Sequence, residues 1–390
     1  MRIGIFTNCY PPSRGGMEVS VINLCRGLKE LGHQVFVFTA STSGFQDSLK
    51  DNVFRCKAIH LYYKGIDFYC PVVPFSDFKS SVKSLKLDIV HTHQPVLMGQ
   101  EGFRYAQTHK IPAVTTHHIR YSDYLFYSLY VPKIFEKIYS YSIKKIIIER
   151  ISKYDRIIVP SKSIKDSLLP YKIKKRIDVI PNGIDIERFS NISGRDEIRK
   201  TYGINDNSIL LLLVSRLTPQ KNIEFLLRSF AKITSFLPNV YFMIVGGGEQ
   251  DDLEKLAKSL GIYKKITFAG SQPPEKIPRY YQAADIFIFS SLSETQGLVM
   301  VEAMAAGLPV VAIKASGVQE VVKNNKSGIL TDNSLKKFTQ AIERLIRDVD
   351  LRKKMSICAK QEAQKYSIEE TTKKFEKMYR EVLGTKNNLR

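Results

Sequence analysis

Cysteine is sparse in this chain, long apolar runs are missing, and acidic residues are outnumbered. Its 390 residues hold five cysteines (Cys9, Cys25, Cys56, Cys70 and Cys358). The number is odd and no Cys-x-x-Cys spacing occurs, which argues against a disulfide framework and a thiolate zinc site and leaves the thiols as small buried hydrophobes. No apolar run reaches the roughly 18 residues a membrane-crossing helix needs. Ile209 to Val214 has the length of a buried strand, and the chain opens on a strand pattern rather than a leader, so a cytoplasmic protein is expected. No internal repeat or low-complexity tract stands out. Only 38 Asp and Glu stand against 59 Lys and Arg, a net charge of +21. An enzyme acting on small neutral molecules alone has no use for that excess, so a large anionic partner is implied. With neither a nucleic-acid recognition fold nor aromatic-rich basic strands in view, a membrane surface fits better than nucleic acid.

The length exceeds what one core usually supports, so two domains are expected. The segment Arg2 to Thr7 is a short apolar run stopped by Pro11-Pro12 and Gly15-Gly16. Val19 to Leu31 then shows helical spacing ended by Gly32, and Val35 to Phe38 is the next strand. Further strands at Ile89-Val90, Ala113-Val114 and Ile157 to Val159 complete a parallel α/β pattern. The same grammar restarts at Ile209 and repeats at Tyr241 to Val245, Ile266 to Phe268, Ile286 to Phe289 and Val310 to Ala312. Two doubly wound domains follow, joined near Pro181-Asn182-Gly183, with a helical pattern from about Ser367 to Val382.

The densest chemistry lies in Ser293-Glu294-Thr295-Gln296-Gly297-Leu298-Val299-Met300-Val301-Glu302, where two carboxylates bracket a strand-to-helix junction. The amides of Thr295, Gln296, Gly297 and Leu298 fall at a positive helix N-terminus, a seat for phosphate. Glu302, further along the helix, is placed to accept from a ribose diol while Glu294 meets sugar hydroxyls. Upstream, Arg216 and Lys221 follow an apolar strand across a short loop, a fork and a point charge able to neutralise a diphosphate. Gly15 and Gly16 read as a sharp turn after the first strand that lets backbone approach a phosphate or sugar. Gly246-Gly247-Gly248-Glu249 does not complete a Gly-x-Gly-x-x-Gly dinucleotide fingerprint. Gly247 is instead expected near the nucleotide phosphates or ribose, and the backbone around Gly270 near the base.

These marks, with Asp88-Ile89-Val90-His91-Thr92-His93, Thr116-His117-His118 and Ile180-Pro181-Asn182-Gly183-Ile184-Asp185 in the same order, resemble the retaining glycosyltransferases of family 4 over nearly the whole chain. The resemblance implies an α/β GT-B fold, two Rossmann-like doubly wound domains facing across a cleft. Residues 1–182 would form an acceptor and membrane-binding domain and 183–366 a nucleotide-sugar-binding domain, with 367–390 a helix crossing back to the first. It further implies a hexosyltransferase with no bound cofactor and no metal requirement. His118, Arg216, Lys221 and Glu294 would be catalytic, and Asp123 would orient His118 or accept from the acceptor. Retention would follow from front-face attack, the acceptor proton passing to a departing phosphate oxygen.

Phe75, Phe78, Val82 and Leu85 recur at near-helical spacing against Lys79, Lys83 and Lys86, a short basic amphipathic pattern, and a second begins after Pro132. Ser-Glu-Thr-Gln-Gly together with Thr-x-His and Tyr-x-Asp-Tyr resembles, within family 4, the bacterial diacylglycerol α-glucosyltransferases. That implies UDP-glucose as donor, diacylglycerol and anionic lipids as partners, and a peripheral position on the inner face of the cell membrane. Rival readings are a phosphatidylinositol mannosyltransferase-like or cell-surface polysaccharide enzyme of the same family, or a noncatalytic lipid or nucleic-acid binding protein on a transferase fold.

Overall fold

The computed structural model describes residues 1–8, 10–11, 15–41, 51–63, 66–71, 85–118, 142, 144–190 and 194–387. They fall into two compact units, Met1–Gly183 with Ile368–Arg390, and Ile184–Ser367. Each is an α/β body built on a parallel sheet, as the alternation of apolar runs and helical segments requires.

In the first unit the strands are β1 (Arg2–Phe6), β2 (Gln34–Ala40), β3 (Val53–Cys56), β4 (Ala58–Tyr63), β5 (Ile66–Pro71), β6 (Ile89–Thr92), β7 (Ala113–Thr116), β8 (Arg156–Val159) and β9 (Ile177–Val179). Seven of them pair in the order β3-β2-β1-β6-β7-β8-β9, while β4 and β5 form a separate antiparallel pair. Strands covered on both faces carry apolar residues without alternation, and Ile3, Ile5, Ile89, Val90, Ile157 and Ile158 are fully buried. The helix Gly16–Glu30 lays Val21, Leu24, Cys25 and Leu28 on the sheet, and burial pushes the Cys25 thiol up to about 12, leaving it an inert hydrophobe. The chain's last helix, Ile368–Asn387, belongs to this unit and adds Phe375, Met378, Tyr379 and Val382 to the same core. Gly27 makes that contact possible, because a Cβ there would sit 2.2 Å from Thr372 Oγ1 and 2.8 Å from Ile368 Cγ2.

The second unit holds β10 (Ile209–Val214), β11 (Val240–Val245), β12 (Ile266–Gly270), β13 (Ile286–Phe289), β14 (Val310–Ile313) and β15 (Gly328–Thr331), paired in the order β12-β11-β10-β13-β14-β15. All neighbours are parallel, the doubly wound arrangement, and the order reverses between β10 and β13. In such sheets ligands bind beyond the strand C-termini at that reversal. At the opposite ends Arg199, 1% exposed, pairs with Asp285 at 2.6 Å and donates to the carbonyls of Ala283, Asn205 and Ser208, so its buried charge is satisfied.

Candidate active site

The segments leaving β10 and β13 lie side by side in the second unit. After Val214, Ser215 and Arg216 lead into a single 3-10 turn, Pro219–Lys221, closed by Asn222 at φ 54°. Gln220 Nε2 donates to Ser293 O at 3.1 Å, and Gln220 O accepts from Leu292 N at 3.3 Å. Ser290 Oγ lies 2.8 and 2.9 Å from the carbonyls of Lys221 and Asn222, to which it donates. This lacing brings Lys221 Nζ within 2.5 Å of Glu294 Oε1, and the ammonium also stands 5.5 Å from the centre of the Phe289 ring. Arg216, earlier in the same loop, is exposed and forms no ion pair among the described residues. A paired cation and carboxylate, with Arg216 in the same loop, thus lie on the segments that leave the sheet at its reversal.

The turn Glu294 to Gly297 delivers the chain into the helix Leu298–Ala305. Gly297 caps it at φ 80°, with no capping side chain and no acidic residue in the first turn. Among the described residues the amides of Thr295, Gly297 and Leu298 have no hydrogen-bond partner, so the positive helix end remains open to an anion. Gln296 is buried. Gly317, which the sequence did not single out, holds this turn: at φ 81° its absent Cβ would meet Glu294 O at 2.6 Å and Gln296 N at 3.1 Å.

Glu302 stands little more than one turn into that helix, half-buried, and its Oε2 accepts from the Tyr281 hydroxyl at 2.8 Å. Burial raises the Glu302 carboxyl above the usual range, opposed by the Tyr281 hydrogen bond and the Arg188 charge. Tyr281 comes from the neighbouring helix Ile277–Ala283, a placement no sequence spacing shows.

In the loop after β11 the demanding glycines are Gly246 and Gly248, at φ 145° and 140°, where a Cβ would fall 1.8 Å from Ser215 O and 2.4 Å from Leu217 O. They allow this loop to seat the backbone that carries Arg216. Gly247 is unconstrained, its nearest neighbour being Ser271 Cβ at 3.4 Å. Gly270 ends β12 at φ 66°, and its carbonyl accepts from Gly246 N at 2.9 Å.

In the first unit His118 follows β7 and is buried. Its Nε2 lies 2.8 Å from His93 Nδ1, the two rings stacked with centroids 5.1 Å apart. Behind them His91 Nδ1 meets Tyr379 Oη at 2.6 Å and His91 Nε2 meets Thr116 Oγ1 at 2.7 Å. Burial lowers His91 and His118 to about 3 and His117 to about 4, with His93 also well below the ordinary value, so all four are neutral at physiological pH. The sequence reading gave His91 and His93 no role. Their place beside Thr116 and His118 comes from the pairing of β6 with β7, His91 opposite Val114, which the sequence does not show.

Residues 12–14, which lead into the expected glycine turn, lie outside the described residues. Gly15 is extended at φ −167° and caps the helix, and Gly16 is its first residue with no atom within 4 Å of a Cβ position. Lys86 is exposed and its carbonyl accepts from Arg2 Nε at 2.6 Å. Phe75, Phe78, Lys79, Lys83 and Asp123 lie outside the described residues.

Two doubly wound bodies, one with cations, a carboxylate pair and an open helix end at its sheet reversal, define a glycosyltransferase of the GT-B type. The model for glycosyl transferases group 1 matches residues 194–362 and that for glycosyltransferase family 4 matches residues 14–188. An alpha-monoglucosyldiacylglycerol synthase of Acholeplasma laidlawii is 30% identical over 100% of this chain and 98% of its own length. Sucrose-phosphate synthase from Thermosynechococcus elongatus superposes with a TM-score of 0.79 at 21% identity, covering 99% of this chain and 100% of that one. Anabaena HepE, solved with UDP-glucose, gives 0.73 at 21% identity over 98% and 99%. The chain belongs to glycosyltransferase family 4.

Proposed function

We propose that this protein transfers glucose from UDP-glucose, with retention, to the 3-hydroxyl of 1,2-diacylglycerol at the inner membrane surface, forming α-monoglucosyldiacylglycerol. The observation that carries the donor half is the Lys221–Glu294 pair beside the open helix end at the β10/β13 reversal. An ammonium has three donors; with one held by Glu294, two remain for a diphosphate. Arg216 adds a second cation, and the amides from Thr295 to Leu298 a third source of positive potential. The C1–O bond to UDP breaks as this charge is met, so no divalent cation is needed for the departure. The lipid hydroxyl attacks the same face, its proton passing to the departing phosphate oxygen, while Glu294 holds the sugar. Glu302 receives the ribose diol, and His118 meets a sugar or lipid hydroxyl.

The lipid half is supported by the name and full-length coverage of the Acholeplasma relative and by charge. Lys144, Lys145, Lys153, Lys172, Lys174, Lys175 and Arg176 stand exposed in the first unit, as do Ile146 and Leu169, at 46% and 58%. Each cation near an anionic leaflet contributes about 1 kcal/mol, so a handful localises the enzyme. No helix among the described residues is long and apolar enough to cross a membrane. The test is a radiolabelled donor screen with diacylglycerol in mixed micelles, with and without anionic phospholipid, comparing UDP-glucose, UDP-galactose, UDP-GlcNAc and GDP-mannose. Glucolipid formed chiefly from UDP-glucose and stimulated by anionic lipid is expected. Transfer from GDP-mannose alone, or none to diacylglycerol, would overturn the assignment.

A further inference from the structure

His93 carries no role in the reading above, yet it is the residue His118 touches. The two belong to one face of the first sheet. β6 and β7 run parallel with His91 opposite Val114, so alternation places His91 and His93 on the side that also takes Thr116 and His118. Because both rings are buried and neutral, the 2.8 Å contact between His93 Nδ1 and His118 Nε2 has one proton: one nitrogen donates and the other accepts. Which one donates decides what His118 offers at its remaining nitrogen, Nδ1.

The other side of His93 favours one direction. Its ring is 2% exposed, and Nε2 has no partner among the described residues. His93 lines a cavity of about 10 Å³, the space of one water, together with Ser20, Asn182, Gly183, Thr371 and the apolar Leu24 and Phe375. The Ser20 hydroxyl donates to Gly16 O at 2.7 Å and the Thr371 hydroxyl to Ile368 O at 3.1 Å. The Gly183 carbonyl already accepts from Asn23 Nδ2 at 2.8 Å. Ser20 and Thr371 spend their hydroxyl protons on those carbonyls and Gly183 offers a carbonyl, so toward a water all three act as acceptors. A water that donates to two of them has lone pairs left to accept, which favours a proton on His93 Nε2 and leaves His93 Nδ1 as an acceptor.

We propose that His93 is a positioning residue that accepts the Nε2–H of His118 and fixes His118 in the tautomer whose Nδ1 lone pair accepts a hydrogen bond from a substrate hydroxyl. This rests on the reading of His118 as the residue that meets the sugar or lipid. No proton leaves the protein in this role; the imidazole orients the hydroxyl. Partners that orient the histidines of metal sites are worth roughly 10- to 100-fold in activity, and a change of that order is expected for His93.

Two measurements decide it. Two-bond proton–nitrogen correlation spectra of ¹⁵N-histidine-labelled wild-type protein, assigned with single histidine variants, report each ring's tautomer. His118 protonated at Nε2 and bare at Nδ1, with His93 protonated at Nε2, is the expected result; His118 protonated at Nδ1 would overturn the role of His93. In glucosyl transfer, His93→Phe should lower kcat roughly 10- to 100-fold with KM for UDP-glucose unchanged, and His93→Gln, whose amide oxygen can accept, should restore most of it. Equal loss in both variants, or none in either, would contradict the role. His118→Ala separates the two readings: full transfer by that variant removes His118 from the site itself, whatever tautomer the spectra report.

Discussion

Lys221 Nζ and Glu294 Oε1 are 2.5 Å apart, joining the segment after β10 to the segment after β13 with both side chains largely buried, at 16% and 12% exposure. Read along the chain, one is a cation for phosphate and the other a carboxylate for sugar; the fold sets each as the other's partner. Lys221→Ala therefore removes a phosphate donor and also leaves Glu294 uncompensated. Loss of one such charged donor costs about 10²- to 10³-fold in kcat, and steady-state transfer from UDP-glucose should show a fall of that order. Because the two groups touch, Glu294→Gln and the double variant should be non-additive by roughly 0.5–3 kcal/mol in a double-mutant cycle. Additive effects would mean the pair does not act as a unit.

Tyr281 should tune the nucleotide site through Glu302. Glu302 accepts from both ribose hydroxyls at full strength only as a carboxylate, and burial already raises its pKa. UDP affinity should then weaken as pH falls through that raised value. Tyr281→Phe removes the hydrogen bond that favours the ionised form, so its midpoint should move to higher pH. Calorimetric titration with UDP between about pH 5 and 8 checks both; identical, flat profiles would exclude Glu302 from ribose binding.

The glycines give a graded set. Gly246→Ala drives a Cβ to 1.8 Å from Ser215 O and Gly317→Ala to 2.6 Å from Glu294 O, both at positive φ, whereas Gly247→Ala meets only Ser271 at 3.4 Å. Strain of this kind costs about 1–3 kcal/mol at each of the first two positions. Thermal melts and transfer assays should show Gly246→Ala and Gly317→Ala reduced in both readouts and Gly247→Ala close to wild type. A severe loss at Gly247 alone would place a ligand against it.

Acid should destabilise the first unit through its histidines. His91 and His118 are lowered to about 3 and His117 to about 4, and His93 is lowered too, whereas unfolded histidines titrate near about 6.5. Below that pH the unfolded chain binds protons that the native state refuses, so stability falls as pH drops from about 6.5 toward 4, by up to about 1.4 kcal/mol per histidine per pH unit. Urea melts at pH 7, 6 and 5 should show this steep loss, and His117→Gln should make it shallower by about one proton. A pH-independent midpoint across that range would mean the rings are hydrated or charged in the native protein.

Much of this architecture is legible without coordinates because buried parallel strands are written as unbroken apolar runs; Ile209–Val214 and Ile286–Phe289 fall where the runs lie. Shorter or mixed strands escape: Ile177–Val179 contains Asp178, and Gly328–Thr331 opens on a glycine. Arg216, Lys221 and Glu294 could be chosen because each follows a strand end by a few residues, and Glu302 because it rides the helix that starts just beyond. Tyr281, Gly317 and His93 could not, since their partners come from other elements and only pairing reveals them. Adjacent glycines mark conformational freedom without saying how it is used, and Gly15 and Gly16 stand where a helix begins.

The most direct test of the whole account is proton NMR of the anomeric centre in the lipid product made from UDP-glucose and diacylglycerol. An α-linked glucosyldiacylglycerol, formed by wild type and at least about 100-fold more slowly by Lys221→Ala, is the predicted result. A β-linked product, or hydrolysis of UDP-glucose with no glycolipid, would contradict it.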